Sequence, residues 1–211
     1  MPAETARLLA LAFDPAVRTA DDPLGERILD SALALASATG LRRLTMDDVA
    51  RRARVGRMTV YRRFGSKGAL LDALAVRECR RCLATIAAAL DPAAGIDERL
   101  TALFLATLSV IREHPLLARL AQLEPEALLV ELTRDDSAVF RLVHEFLVRL
   151  IREGQAAGEL IEVDPAPLAE LSLRLGLSFV LMPNSGIAPG DERATREVLG
   201  GLIAPLIASG R

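Results

Sequence analysis

The stretch Thr45 to Lys67, TMDDVARRARVGRMTVYRRFGSK, decides how this chain is read. It predicts a short helix, a tight turn, a second short helix and the start of a third. Thr45 is placed to cap the first helix, its hydroxyl accepting the Asp48 backbone N–H, and Asp47 and Asp48 suit a positive helix end. Met46, Val49, Ala50 and Ala53 fall at helical spacing and form its inner face. The second helix runs from about Gly56 to Arg63, anchored inward by Val55, Val60 and Phe64. Arg57, Met58, Thr59, Tyr61, Arg62 and Arg63 share its exposed and flanking faces. A helix that presents Arg, Thr and Tyr outward while pinned from behind fits a DNA major groove. Tyr61 is read as a phosphate contact through its hydroxyl rather than as a core ring, because Val60 and Phe64 already fill the inner side. Gly65 breaks the helix, Ser66 caps the next one, and Lys67 stands in its first turn. A helix N-terminus beside an ammonium is a ready phosphate site.

Charge supports this. Residues 41–81 carry twelve Arg/Lys against four Asp/Glu, a net of +8 in a chain whose net charge is −2. A basic block on an acidic body points to an anionic partner for that block alone. The 211 residues make one large or two small domains, and 51% of them are apolar. Ala and Leu abound while aromatic residues make up only 3%, which favours helix over strand. The two cysteines, Cys79 and Cys82, form a lone C-x-x-C within a helical pattern. Zinc needs four ligands, and neither a second pair nor a His cluster lies nearby. They read as reduced thiols; Arg80 and Arg81 could lower a thiol pKa, which leaves a redox role open. No metal or cofactor is expected. The N-terminus lacks a basic region ahead of its short apolar run, and no stretch reaches about 18 uncharged apolar residues. The expectation is a soluble, cytoplasmic protein with no membrane partner.

Upstream, residues 1–20 read as an arm, either partly ordered or reaching a DNA minor groove through Arg18. Asp21 or Asp22 caps a helix that has Pro23 in its first turn. Ile28, Leu29, Ala32, Leu33, Leu35 and Ala36 form its apolar side, and Gly40 ends it. Leu41 and Leu44 plug the connecting turn.

These residues resemble a known family. ILDSALALASATGLRRLTMDDVARRARVGRMTVYRRFGSKGALLDAL is similar to the N-terminal DNA-binding domain of TetR-type transcriptional regulators. The resemblance rests on Gly40, Thr45, the Val49-Ala50 and Ala53 spacing, Thr59-Val60-Tyr61, Phe64, and Ser66-Lys67 before Leu70-Leu71. It implies a helix-turn-helix at about 45–64 within a DNA-binding domain at 21–81, and a helical regulatory and dimerisation domain at 82–211. It places Thr45, Thr59, Tyr61 and Lys67 at DNA contacts and Arg57 and Met58 where bases are read. Arg43, Arg62 and Arg63 complete the candidate DNA-binding set. The sequence departs from the family where Arg54 replaces a frequent Gly, Gly56 a frequent Ser, and Arg63 a frequent His or Tyr.

Beyond residue 81 the pattern predicts further helices to about Leu90, from Asp97 to about Glu113, from Ser137 to about Gln155, from Ala166 to Met182 and from Asp191 to Ala208. His114-Pro115 stops the second of these, with His114 read as a helix-end residue. Between Leu116 and Leu132 lie one or two short helices divided near Glu124-Pro125. The resemblance implies a homodimer through the last two helices, with Leu171, Leu175, Phe179, Val198, Leu202 and Leu206 as candidate interface residues. It also implies a small-molecule effector site, whose candidates are Phe104, Thr107, Leu108, Phe140, His144, Leu147 and Ser178. His144 lies in an apolar helix and reads first as a satisfied core or interface histidine, and Phe104 and Phe140 as packing. With few internal charges, a hydrophobic ligand is favoured.

The sequence thus points to an all-α, ligand-responsive repressor that acts as a homodimer on a near-palindromic operator in double-stranded DNA. Two other classes compete. A non-catalytic interaction module with a basic face would bind random and selected DNA alike. A helical enzyme lacks any Ser-His-Asp set, phosphate loop or metal cluster in this sequence.

Overall fold

A computed structural model describes residues 22–91, 93–126, 129–130, 134, 137–182 and 192–208. The predicted arm at 1–20, with Arg18, lies outside them. The helices are α1 (Pro23–Thr39), α2 (Met46–Ala53), α3 (Arg57–Phe64), α4 (Lys67–Ala88), α5 (Ile96–Glu113), α6 (Pro115–Leu123), α7 (Ala138–Ala156), α8 (Pro165–Leu181) and α9 (Glu192–Val198). A π-helical turn, Leu199–Ile203, leads from α9 into α10 (Ala204–Ile207). The described residues are all-α; their one β-type pairing is an isolated bridge between Leu160 and Ala208.

The helix starts follow local chemistry. Asp22 caps α1 by accepting the Gly25 N–H at 2.9 Å, with Pro23 in the first turn. Ser66 caps α4 through Ala69 N–H at 3.1 Å, and Ser137 caps α7 through Phe140 N–H at 3.0 Å. Gly40 closes α1 at φ +89°, and a Cβ there would meet Glu124 Oε1 at 2.4 Å. The positive φ favours glycine here, while the Glu124 side-chain tip could move aside.

α1 to α4 form a head around one apolar cluster. Ile28, Ala32, Ala36, Val49, Val60 and Leu70 are its fully buried members, and Leu44, Met46, Ala50, Ala53 and Leu74 are among those that join them. Two further members, Leu116 and Leu120, come from α6, so a helix of the body helps close the core of the head. α4 runs unbroken through residues 81 and 82. Its Leu83 and Ile86 enter a second cluster with Leu142 and Phe146 of α7. A third cluster joins Ile151 of α7 to Leu160 and to Ala169 of α8.

α5 and α6 meet at 85° across His114-Pro115. Proline lacks the N–H that would continue α5 and suits the first turn of α6. His114 ends α5, and its Nδ1 also accepts the Leu117 N–H at 3.3 Å to start α6. The final segment departs from the single predicted helix. Ala204 N–H bonds back to Leu199 rather than to Gly200, giving the wider π turn. Pro205 cannot donate to Gly201, and Gly200-Gly201 weakens regular helix, so the register slips there. The predicted start at Asp191 lies outside the described residues.

Candidate nucleic-acid interface

The site grows from the turn between α2 and α3. Thr45 Oγ1 accepts the Asp48 N–H at 3.2 Å and donates to Asp48 Oδ2 at 2.6 Å, so α2 starts as its sequence predicts. α2 ends at Arg54, which lies in the left-handed region at φ 54°, ψ 46°. Arg54 N–H bonds to Arg51 O at 3.2 Å and Val55 N–H to Ala50 O at 3.0 Å. These two bonds satisfy the last carbonyls of α2 and aim the chain into α3. Gly56 opens α3 without a side-chain cap.

α3 is pinned by Val60, which is fully buried, with Val55 and Phe64 packed partly against the same core. Burying a valine is worth about 1.5–3 kcal/mol. The opposite side is open: Met58 is 74% exposed, and Arg57, Arg62 and Arg63 are exposed with it. Thr59 is half-buried. Tyr61 is half-buried too, its ring packed at the edge of the head core. Ring packing and an outward hydroxyl are therefore compatible, although sequence reading set them as alternatives.

The cations divide into two groups. Arg57 Nε lies 3.0 Å from Asp47 Oδ1, and the Arg57 guanidinium sits 5.3 Å from the Tyr61 ring centre. The Tyr61 side chain first, and the Asp47 charge second, hold Arg57 above its already high pKa. Arg63 pairs with Asp22, tying α3 to the start of α1. The Gly25 backbone bond and the Arg63 partner keep the Asp22 carboxyl below the ordinary carboxylate range, against its desolvation. Lys67 Nζ donates to the Arg42 carbonyl at 3.0 Å, which holds its ammonium at the α1–α2 turn. Arg51 pairs with Asp48, and Arg42 with Glu126 at 2.9 Å. Arg43, Arg52, Arg54 and Arg62 are exposed and have no ion pair among the described residues. Sequence reading missed Asp47 and Asp22 as partners of Arg57 and Arg63, because no helical spacing links either pair.

Residues 28–74 match the family model described as "Bacterial regulatory proteins, tetR family". This segment is a tetR-family domain. It spans α1 from Ile28, the whole of α2 and α3, and α4 to Leu74. Solved structures of tetR type share the fold over 84–90% of the chain. A TetR family transcriptional regulator from Pseudomonas syringae pv. tomato is 23% identical over 90% of this chain and 100% of its own, with a TM-score of 0.61. The fatty acid degradation regulator FadR from Bacillus halodurans is 20% identical over 84% of this chain and 94% of its own, at 0.62. The TetR family repressor AlkX from Dietzia sp., implicated in biodegradation of n-alkanes, is 23% identical over 85% and 92%, at 0.61. Among curated proteins nothing matches.

The tetR-type body places its predicted residues unevenly. Leu171 and Leu175 of α8 and Leu206 of α10 are 63%, 43% and 72% exposed. Phe179 and Val198 are half-buried; the side chain of Leu202 lies outside the described set. Phe104 meets Phe179 edge-on at 4.8 Å, as packing. His144 Nε2 is satisfied by the Ala166 carbonyl at 3.0 Å, and its ring stacks on Phe140 at 5.8 Å. Thr107 donates to Leu103 O and Ser178 to Leu175 O within their own helices. Leu108 is buried, and Leu147 packs against the α4–α7 cluster.

The cysteine pair also changes standing. Burial first, and the Glu78 charge second, push the Cys82 thiol up to about 11. Arg81, expected to lower it, is spent on Glu26, Asp30 and Glu78.

Proposed function

We propose that the chain is a sequence-specific DNA-binding regulator acting as a homodimer, a repressor whose operator is released when an apolar small molecule binds the body. The observation that carries the DNA-reading half is α3: Val60 is fully buried behind a face on which Met58 and three arginines stand open. On this reading Arg57, Met58 and Thr59 meet base edges. Arg43, Thr45, Tyr61, Arg62, Arg63 and Lys67 meet phosphates, and the near-palindromic operator places two α3 helices about 34 Å apart in successive major grooves. The exposed leucines of α8 and α10 support the dimer. For the effector, support comes from the apolar clusters of the body and from neighbours named for fatty-acid and n-alkane degradation. A ligand that binds the DNA-incompetent form more tightly would shift the population off DNA.

Selection of bound duplexes from a random pool, followed by titration at several salt concentrations, tests the reading. Lys67→Ala is expected to weaken all duplexes and reduce the slope of log affinity against log salt by about one per head. Arg57→Ala is expected to change which sequence is preferred. A Lys67→Ala protein with unchanged binding would remove Lys67 from the phosphate contacts. If no apolar metabolite alters operator affinity, the regulator is constitutive.

A further inference from the structure

Arg57, on the exposed face of α3, is held from two sides, by a carboxylate and by an aromatic ring. Its Nε lies 3.0 Å from Asp47 Oδ1, and its guanidinium lies 5.3 Å from the Tyr61 ring centre. Asp47 stands in the first turn of α2, and Tyr61 stands one turn further along α3 than Arg57. The side chain is therefore fixed by its own helix, by a carboxylate from the neighbouring helix and by an aromatic face. A free exposed arginine has many rotamers, and must lose much of that freedom on binding. Here part of that ordering is done before DNA arrives.

The geometry also selects which nitrogens remain. The ion pair with Asp47 is made at Nε, which leaves the two terminal nitrogens outside that pair. Two parallel N–H donors match guanine O6 and N7 in the major groove, with a rigid planar geometry that lysine lacks. The Asp47 side chain is 55% exposed, so its charge also opposes phosphates that approach this face.

We propose that Asp47 is a positioning residue of the reading surface, holding Arg57 through Nε so that its terminal nitrogens read one guanine in each operator half-site. This rests on the DNA-reading proposal above. It predicts two changes of opposite sign when the Asp47 charge is removed. Non-specific affinity holds or rises, because a repulsive charge is gone. Discrimination at one base pair falls, because Arg57 is no longer aimed. A purely structural role for Asp47 would weaken both together.

The test uses the full chain as wild type, Asp47→Asn and Arg57→Lys. The probes are the best duplex selected by the wild type, the same duplex with each guanine changed in turn to adenine, and a random-sequence duplex. One guanine per half-site should cost the wild type about tenfold or more when changed. Asp47→Asn should shrink that penalty to about twofold while binding the random duplex as tightly or more tightly. Arg57→Lys keeps the charge opposite Asp47 but lacks the fork, and should lose the same guanine penalty. If Asp47→Asn or Arg57→Lys retains the full penalty, the positioning role is overturned and DNA reading stands. If the wild type enriches no sequence, DNA reading and the positioning role fall together.

Discussion

Arg54 adopts a backbone conformation that L side chains resist, at φ 54° and ψ 46°. The left-handed region costs a non-glycine residue roughly 1–2 kcal/mol, less what glycine forfeits through a more flexible unfolded chain. Arg54→Gly should therefore raise unfolding free energy by about 0.5–1 kcal/mol. Urea denaturation would show it as a higher midpoint with an unchanged slope. The sequence marked Arg54 as a departure but left the path of the turn open, since a left-handed residue is visible only in the backbone. Cys82 carries a second residue-level expectation. With its thiol pushed up to about 11, it is almost wholly protonated at neutral pH. Iodoacetamide should modify it far more slowly than a free cysteine at pH 7, and mass spectrometry would report the rate.

α4 is the helix that joins head to body, and Glu78 is its charged centre. Glu78 is 6% exposed and meets Arg77 at 2.7 Å, Arg81 at 3.2 Å and His114 Nε2 at 3.0 Å. Arg77 also reaches Glu26 and Asp30 of α1. One network thus links α1, α4 and the α5–α6 corner. Burial would raise the Glu78 carboxyl, but the His114 bond and the Arg77 and Arg81 charges outweigh it and hold it below its ordinary 4.5. As pH falls, the unfolded chain protonates Glu78 before the folded one does. Its stabilisation is therefore complete above about 4.5 and is lost as pH falls through the lower folded value. Glu78→Gln should be less stable at neutral pH, by about 2–4 kcal/mol, because two guanidiniums lose a buried partner. It should also lose stability less steeply below pH 4.5 in acid titrations followed by circular dichroism. His114 was legible as a helix end. Its bond to Glu78 was not, because it joins residues 36 apart on helices that meet only after folding.

At the scale of the whole molecule, several apolar side chains of the last helices stand exposed. Leu171, Leu175 and Leu206 stand on α8 and α10, and Met182 beside the end of α8 is 62% exposed. Exposed leucines on these two helices suit a second copy of the chain. Leu171→Glu combined with Leu206→Glu should shift the protein to a monomer by light scattering while preserving its helical signal. Operator affinity should fall about a hundredfold or more, since each head alone forgoes the gain from linking two half-sites. A dimer that survives both changes would place the interface elsewhere.

Local chemistry settled much of this protein without tertiary information. Caps at Asp22, Thr45, Ser66 and Ser137, the glycine at 40 and the apolar spacing of α1 to α3 each depend on residues a few positions apart. Side-chain chemistry and the helical period are enough to read them. Folding decided what pairs across distance: Asp47 with Arg57, Asp22 with Arg63, Glu78 with His114, and α6 leucines with the core of the head. It also decided the π turn at Leu199–Ile203 and the satisfied state of His144. Those contacts join helices whose crossing is set by the packing of whole faces, which no short window of sequence contains.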